Sequence, residues 1–315
     1  MADSTSQVTL SMHGWLSRLL SRRDLRTPDQ RPLYAYQLNS DEYAELLVRL
    51  REVASFDGVA RDPAICAAFC LFCAEWYRRE YRVEDGWSWD AIWKRLDHEF
   101  SAPELARLIP KGLDKFWQRP IRFYESERRN FLGSLFSEGG LPFKVLTEPG
   151  SRFQTLFARV LKQYSVSKAL AGSLEPAVKY QIEQLNLPQV FLEQTSVELI
   201  AGMADQLAQL VDFYQLEDNS NPVDVLDVRS PGWRKLFPLP LDDDTGRDFL
   251  NGLLATASKE TRTGVKSLKS LSCEHYWLSS LNCLETEITL PSVLTMAVDH
   301  QPVSNRFDLS ISEGR

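Results

Sequence analysis

Cys66, Cys70 and Cys73 stand in a C-x3-C-x2-C run. Thiolates spaced this way can hold an iron–sulfur cluster when a loop wraps them round one centre. The intervening residues, Ala67-Ala68-Phe69 and Leu71-Phe72, are helix formers with no glycine or polar turn residue among them. On a helix the three positions are i, i+4 and i+7, a single stripe, where free cysteine behaves as a small hydrophobe. The run therefore predicts buried core, with ligation of a cluster as the competing chemistry. Cys273, His275, Cys283 and His300 form a second set of donors, for zinc, but Cys-x-His is not the paired spacing of a structural zinc site. None of the four histidines lies in a recognisable nucleophile motif. Asp242-Asp243-Asp244 could hold a hard cation through carboxylate oxygens, or could open a helix and complement its dipole. Gly139-Gly140 is not followed by Gly-Lys-Ser/Thr, so it is not a phosphate loop. No cofactor is expected.

The other chemistry-bearing stretch is cationic. Arg107, Lys111, Lys115, Arg119, Arg122, Arg128 and Arg129 stand against Asp114, Glu125 and Glu127, with Phe116, Trp117, Phe123 and Tyr124 between them. Aromatics among cations form the platforms on which single-stranded nucleic acid stacks. The alternative turns the aromatics to the core and leaves the charges solvated. A second group, Arg18, Arg22, Arg23, Arg26 and Arg31, reads as a solvated helix end favoured by its dipole, with phosphate or partner contact as the alternative.

A net charge of −7 over 315 residues argues against a general nucleic-acid coat while allowing a local basic face. The composition, 43% hydrophobic and 25% charged, is that of a folded chain. Five cysteines, three of them on one stretch, fit a reducing cytosol better than a disulfide framework. Residues 1–9 are polar, and neither a secretory signal nor a membrane span is evident.

The elements that would position these residues are mostly helical. Asp62-Pro63 is a helix start, and Ile65, Phe69, Phe72 and Trp76 recur at spacings of three and four on a helix apolar almost all round. Asn39 with Glu42, and Ser101 with Glu104, make capping boxes for helices before and after it. Pro110 should split the second of these, and residues 33–38 read as extended. A helix should end at Gly139, and further helices follow to about Leu216. The division expected is a disordered leader at 1–9, a helical domain at 10–217, a proline-rich linker with one helix at 218–264, and a β-rich segment at 265–315. In the last, Leu284, Thr286, Ile288 and Leu290 alternate with polar residues, as do Phe307, Leu309 and Ile311. The expected class is mainly α: a multi-helix, bundle-like body over about 10–216, then a small antiparallel β-rich segment that opens a larger domain.

Three strings carry a resemblance: RPLYAYQL after the helix of Leu10–Arg23, FCLFCAEWYRREY with GWSWDAIW, and FLGSLFSEGGLPFKVL. Together they resemble the N-terminal region of long bacterial proteins encoded beside helicases in defence islands, of the Druantia type III sort. The resemblance covers nearly all of this chain but only the first part of such a protein, and it brings no active-site residues with it. It implies a setting in anti-phage defence, with a helicase or DNA as partner. The functional expectation is a non-catalytic helical interaction module contacting a helicase or nucleic acid. Two alternatives stand beside it: an enzyme whose site is not linear in sequence, including a cluster protein built on the cysteine stripe, and a scaffold for a larger C-terminal domain.

Overall fold

The computed structural model describes residues 2–54, 62–124, 128–148, 151–216, 221–242, 244–265, 272–278 and 283–289. Its first half is α1 (Ala2–Ser21), α2 (Ser40–Ala54), α3 (Pro63–Arg79), α4 (Asp90–Leu96), α5 (Ala102–Ile109) and α6 (Phe131–Gly139). α3 is the axis of this half: every residue from Ala64 to Arg78 is buried. It starts where the sequence places it. Asp62 Oδ1 accepts the amides of Ala64 and Ile65 at 2.8 and 3.0 Å, and Pro63 has no N–H to leave unsatisfied. α2 opens on the expected reciprocal cap, in which Glu42 N–H donates to Asn39 Oδ1 and Asn39 N–H donates to Glu42 Oε2. Ser101 and Glu104 repeat this at α5.

Pro110 splits the next helix, since it has no N–H to return to the preceding turn. The chain continues from Pro110 to Phe116 as a π-helical segment. That segment and α6 both pack against α3, and each approaches at a glycine. A β-carbon on Gly112 would lie 2.5 Å from the Cys66 carbonyl carbon and 2.7 Å from Cys70 Sγ. One on Gly139 would fall inside 3.0 Å of the Ala74 carbonyl oxygen. Backbone therefore meets backbone on two sides of α3.

The second half holds α7 (Phe143–Thr147), α8 (Phe153–Lys162), α9 (Tyr164–Ala171), α10 (Glu175–Gln184), α11 (Gln194–Tyr214), α12 (Pro222–Arg229) and α13 (Asp244–Val265). α13 lies against α8, α11 and α12. Its buried residues Phe249, Leu250, Leu253, Leu254 and Ala257 follow the helical period that seats one stripe in the core.

Two expectations are corrected here. Residues 33–38 are not extended: Leu33–Tyr36 forms a 3-10 turn, which puts the buried Leu33 and Tyr36, three apart, on one side. The fold class also changes, because the helical body does not give way to a β-rich segment after residue 216. α12 and α13 extend it to Val265. Beyond that the described residues hold one antiparallel ribbon, β3 (Ser272–Leu278) with β4 (Cys283–Thr289). Two strands without a third among the described residues make a hairpin, not a sheet with a core of its own. Period-two alternation favours local pairing there but does not supply a surface to bury. The alternation expected over Phe307, Leu309 and Ile311 lies outside the described residues.

The halves are tied by a bent strap running from Phe237 to Asp242. Gln37 donates to the Phe237 carbonyl at 3.3 Å, and Leu141 N–H donates to that of Pro238 at 3.4 Å. Asp242, read from the sequence as part of a helix start, instead reaches back across the chain. It accepts from Ser40 N–H and Oγ at 2.6 and 2.7 Å and pairs with Arg79 at 3.0 Å. Arg79 also meets Glu75, which holds the fully buried Arg78 at 2.7 Å.

Candidate functional site

The cysteine stripe is interior. Cys66, Cys70 and Cys73 lie on the continuous helix α3 at 0% exposure. Burial pushes the Cys66 thiol up to about 12 and those of Cys70 and Cys73 well above their ordinary value. Protonated sulfurs one above another on a helix, with the Gly112 backbone against Cys70, are packing groups. Among the described residues no group of three or more His, Cys, Asp or Glu is placed to hold a metal ion. The side chains of Cys273, His275, Cys283 and His300 lie outside the described residues.

The cationic run does not form one face. Arg107 is exposed beyond the Pro103 carbonyl it donates to, and Lys115 is exposed beside Asp114 at 3.0 Å. Lys111, on the π-helical segment, is half-buried and close enough to Cys66 to oppose its upward shift. Arg119 turns inward, pairs with the buried Glu138 at 2.9 Å, and donates to the Gln30 carbonyl at 2.7 Å. Burial raises the Glu138 carboxyl above its ordinary value, and Arg119 offsets only part of that. Trp117 is also interior, its indole N–H donating to the Ala67 carbonyl at 2.9 Å. The aromatic-to-core alternative therefore holds for Trp117, and Arg119 is a structural ion-pair partner. Arg22 and Arg23, from the earlier basic group, are likewise paired with Glu42.

Arg122, Phe123 and Arg129 are placed differently. β1 (Phe123–Tyr124) and β2 (Arg128–Arg129) form a short antiparallel ladder with Phe123 opposite Arg129. Directly paired residues project to the same face, and both of these are exposed. Arg128 stands opposite Tyr124 in this register. Arg122, just before the ladder, donates from its backbone to Ser134 Oγ at 2.9 Å and from its guanidinium to Thr195 Oγ1.

Arg122 and Phe123 open onto a cleft of about 380 Å³. Its aromatic wall is Tyr77, Trp87 and Phe136, with Trp87 and Phe136 centroids 5.3 Å apart and Tyr77 and Phe136 stacked at 4.4 Å. Its polar wall carries Arg122, Asn130, Ser137, Glu193 and Thr195. Trp87 is 44% and Phe123 55% exposed, large apolar surfaces left to solvent beside donors and acceptors. α3, α6 and the ladder supply one side, while the start of α11 supplies the other. The sequence signals Arg122 and Phe123 directly. Trp87 is legible there only as one of a cluster of tryptophans. Glu193 and Thr195 carry no signal, because they join the site only through the packing of α11.

Fold and site together define a mainly helical protein whose two halves enclose an aromatic-and-polar cleft. Two family models match the chain, one over each half. Residues 3–141 match the family model of the YjiT N-terminal domain, and residues 148–266 match that of the YjiT second domain. Protein YjiT of Escherichia coli (strain K12) is 46% identical over 300 residues, covering 95% of this chain. The chain spans 58% of the length of that relative. No solved structure matches the chain. The cleft draws its walls from both matched domains. No helix among the described residues is long and apolar enough to cross a membrane.

Proposed function

We propose that this chain is a non-catalytic helical interaction module of an anti-phage defence protein, and that it contacts single-stranded nucleic acid at the mouth of the cleft. One observation carries the nucleic-acid contact: Phe123 and Arg129 are exposed opposite each other on the β1–β2 ladder, next to Arg122. A stacking ring beside guanidinium groups suits a base and its phosphate. The defence setting and a helicase as the source of single strands rest on the resemblance of the three sequence strings.

Titration of the full chain with a labelled single strand and with the matching duplex, each at 50 and 200 mM salt, tests the reading. The expected outcome is preference for the single strand and affinity that falls with salt, since phosphate contacts release counterions. Arg129→Ala should reduce the slope by about 1. Absent or salt-independent binding refutes the nucleic-acid contact and leaves a protein partner, the helicase itself, as the remaining interaction.

A further inference from the structure

The cleft is lined by aromatic rings and by polar side chains of both signs, and it adjoins the Phe123–Arg129 face. Resting on the nucleic-acid reading above, we infer that the cleft takes a single unstacked nucleobase from the bound strand, with Trp87 as its stacking surface, Arg122 at the base edge and Arg129 holding a flanking phosphate outside.

Three observations point to that ligand. The volume, about 380 Å³, lies at the low end of small-molecule sites and far below what a duplex or a folded domain would need. Trp87 is large, apolar and 44% exposed, and its ring already packs on one side against the buried Phe136, centroids 5.3 Å apart. A stacking ring already in contact with the core has less freedom to lose when a base settles on it. The polar wall offers both kinds of partner a base edge needs: the Glu193 carboxylate accepts, and the Arg122 guanidinium donates. Arg122 and Glu193 nearly cancel in charge. This disfavours a free triphosphate and suits a base whose phosphates lie outside, toward Arg129.

The test uses the full chain, a single-stranded oligonucleotide, the matching duplex, and an abasic strand of the same length. Trp87→Ala and Phe123→Ala are compared with the parent, and unchanged denaturation midpoints confirm that both variants fold. The inference expects each variant to weaken single-strand binding roughly ten-fold, with the salt slope unchanged, because stacking is lost and phosphate contacts are kept. The abasic strand, which offers a base to neither ring, should bind the parent more weakly than the intact strand binds either single variant. If the single strand binds with salt dependence but Trp87→Ala and the abasic strand make no difference, the base pocket is overturned and the basic face stands. If neither DNA binds, both readings fall. If an unstructured aromatic peptide competes for the cleft where the oligonucleotide does not, the pocket belongs to a protein partner and the inference is wrong.

Discussion

Gly112→Ala should be among the most damaging single-methyl changes in the protein. An ordinary β-carbon contact begins near 3.4 Å, whereas this one would lie 2.5 Å from the Cys66 carbonyl carbon and 2.7 Å from Cys70 Sγ. The new methyl would have to retreat by about 1 Å against the backbone of α3, buried from Ala64 to Arg78, where close packing leaves no slack. Burying a methyl and improving helix propensity would together favour alanine by about 1–2 kcal/mol. Overpacking of a rigid site costs about 1–3 kcal/mol and more where backbone must move. Because the obstacle is a backbone carbonyl that cannot turn aside, the cost falls at the upper end and a net loss of about 1–2 kcal/mol is expected. Gly202 supplies the internal control: it is an exposed glycine of α11 with nothing within 4 Å of an added methyl and no left-handed φ. There alanine should stabilise by about 0.4–1 kcal/mol, by propensity and by narrowing the unfolded ensemble. Urea denaturation followed by tryptophan fluorescence should move the two midpoints in opposite directions with the slope unchanged. A Gly112→Ala protein as stable as its parent would refute the backbone-to-backbone packing of α3 with the π-helical segment.

Arg119→Met strands the buried Glu138 and should cost about 3–5 kcal/mol at neutral pH. The Glu138 carboxyl already titrates above its ordinary value, so native protein takes up that proton before the unfolded chain does. Stability of the variant should therefore recover as pH falls through the raised folded value, as measured by denaturation midpoints between pH 7 and 5. Asp242 has the opposite sign. Burial would raise its carboxyl, but the Arg79 charge and the Ser40 donors outweigh this and hold it below its ordinary value. Its stabilisation is present above the unfolded value and lost as pH falls through the folded one, so the deficit of Asp242→Asn should hold at neutral pH and close in acid. Cys66, Cys70 and Cys73 should resist alkylation at pH 8 until denaturant is added, read site by site by mass spectrometry. Labelling of Cys70 in native protein would contradict its burial.

Much of the first half is legible in the order of its residues. The caps at Asp62, Asn39 and Ser101 are local hydrogen bonds between residues two or three apart, so their partners are fixed by neighbouring sequence. The break at Pro110 and the helix end at Gly139 follow equally local rules. The 33–38 turn escapes those rules because its conformation answers to a distant group, the Glu138 carboxylate that accepts Leu33 N–H at 3.1 Å. The C-terminal β reading overreaches for a related reason. Alternation describes which side of a strand is apolar, and only a third strand or a covering helix makes that side a core.

The candidate site divides along the same line. Residue order suffices to show that cations and aromatics are interleaved over 107–129, and that the cysteines ride one apolar helix. Whether a given cation faces solvent or an acid, and whether a given ring stacks or packs, depends on how distant elements meet. Arg119 and Arg122 are three residues apart, yet one closes on Glu138 and the other reaches Thr195. The physical reason is that charge and aromaticity belong to a residue, while burial and partnership belong to the elements that fold against it from elsewhere in the chain.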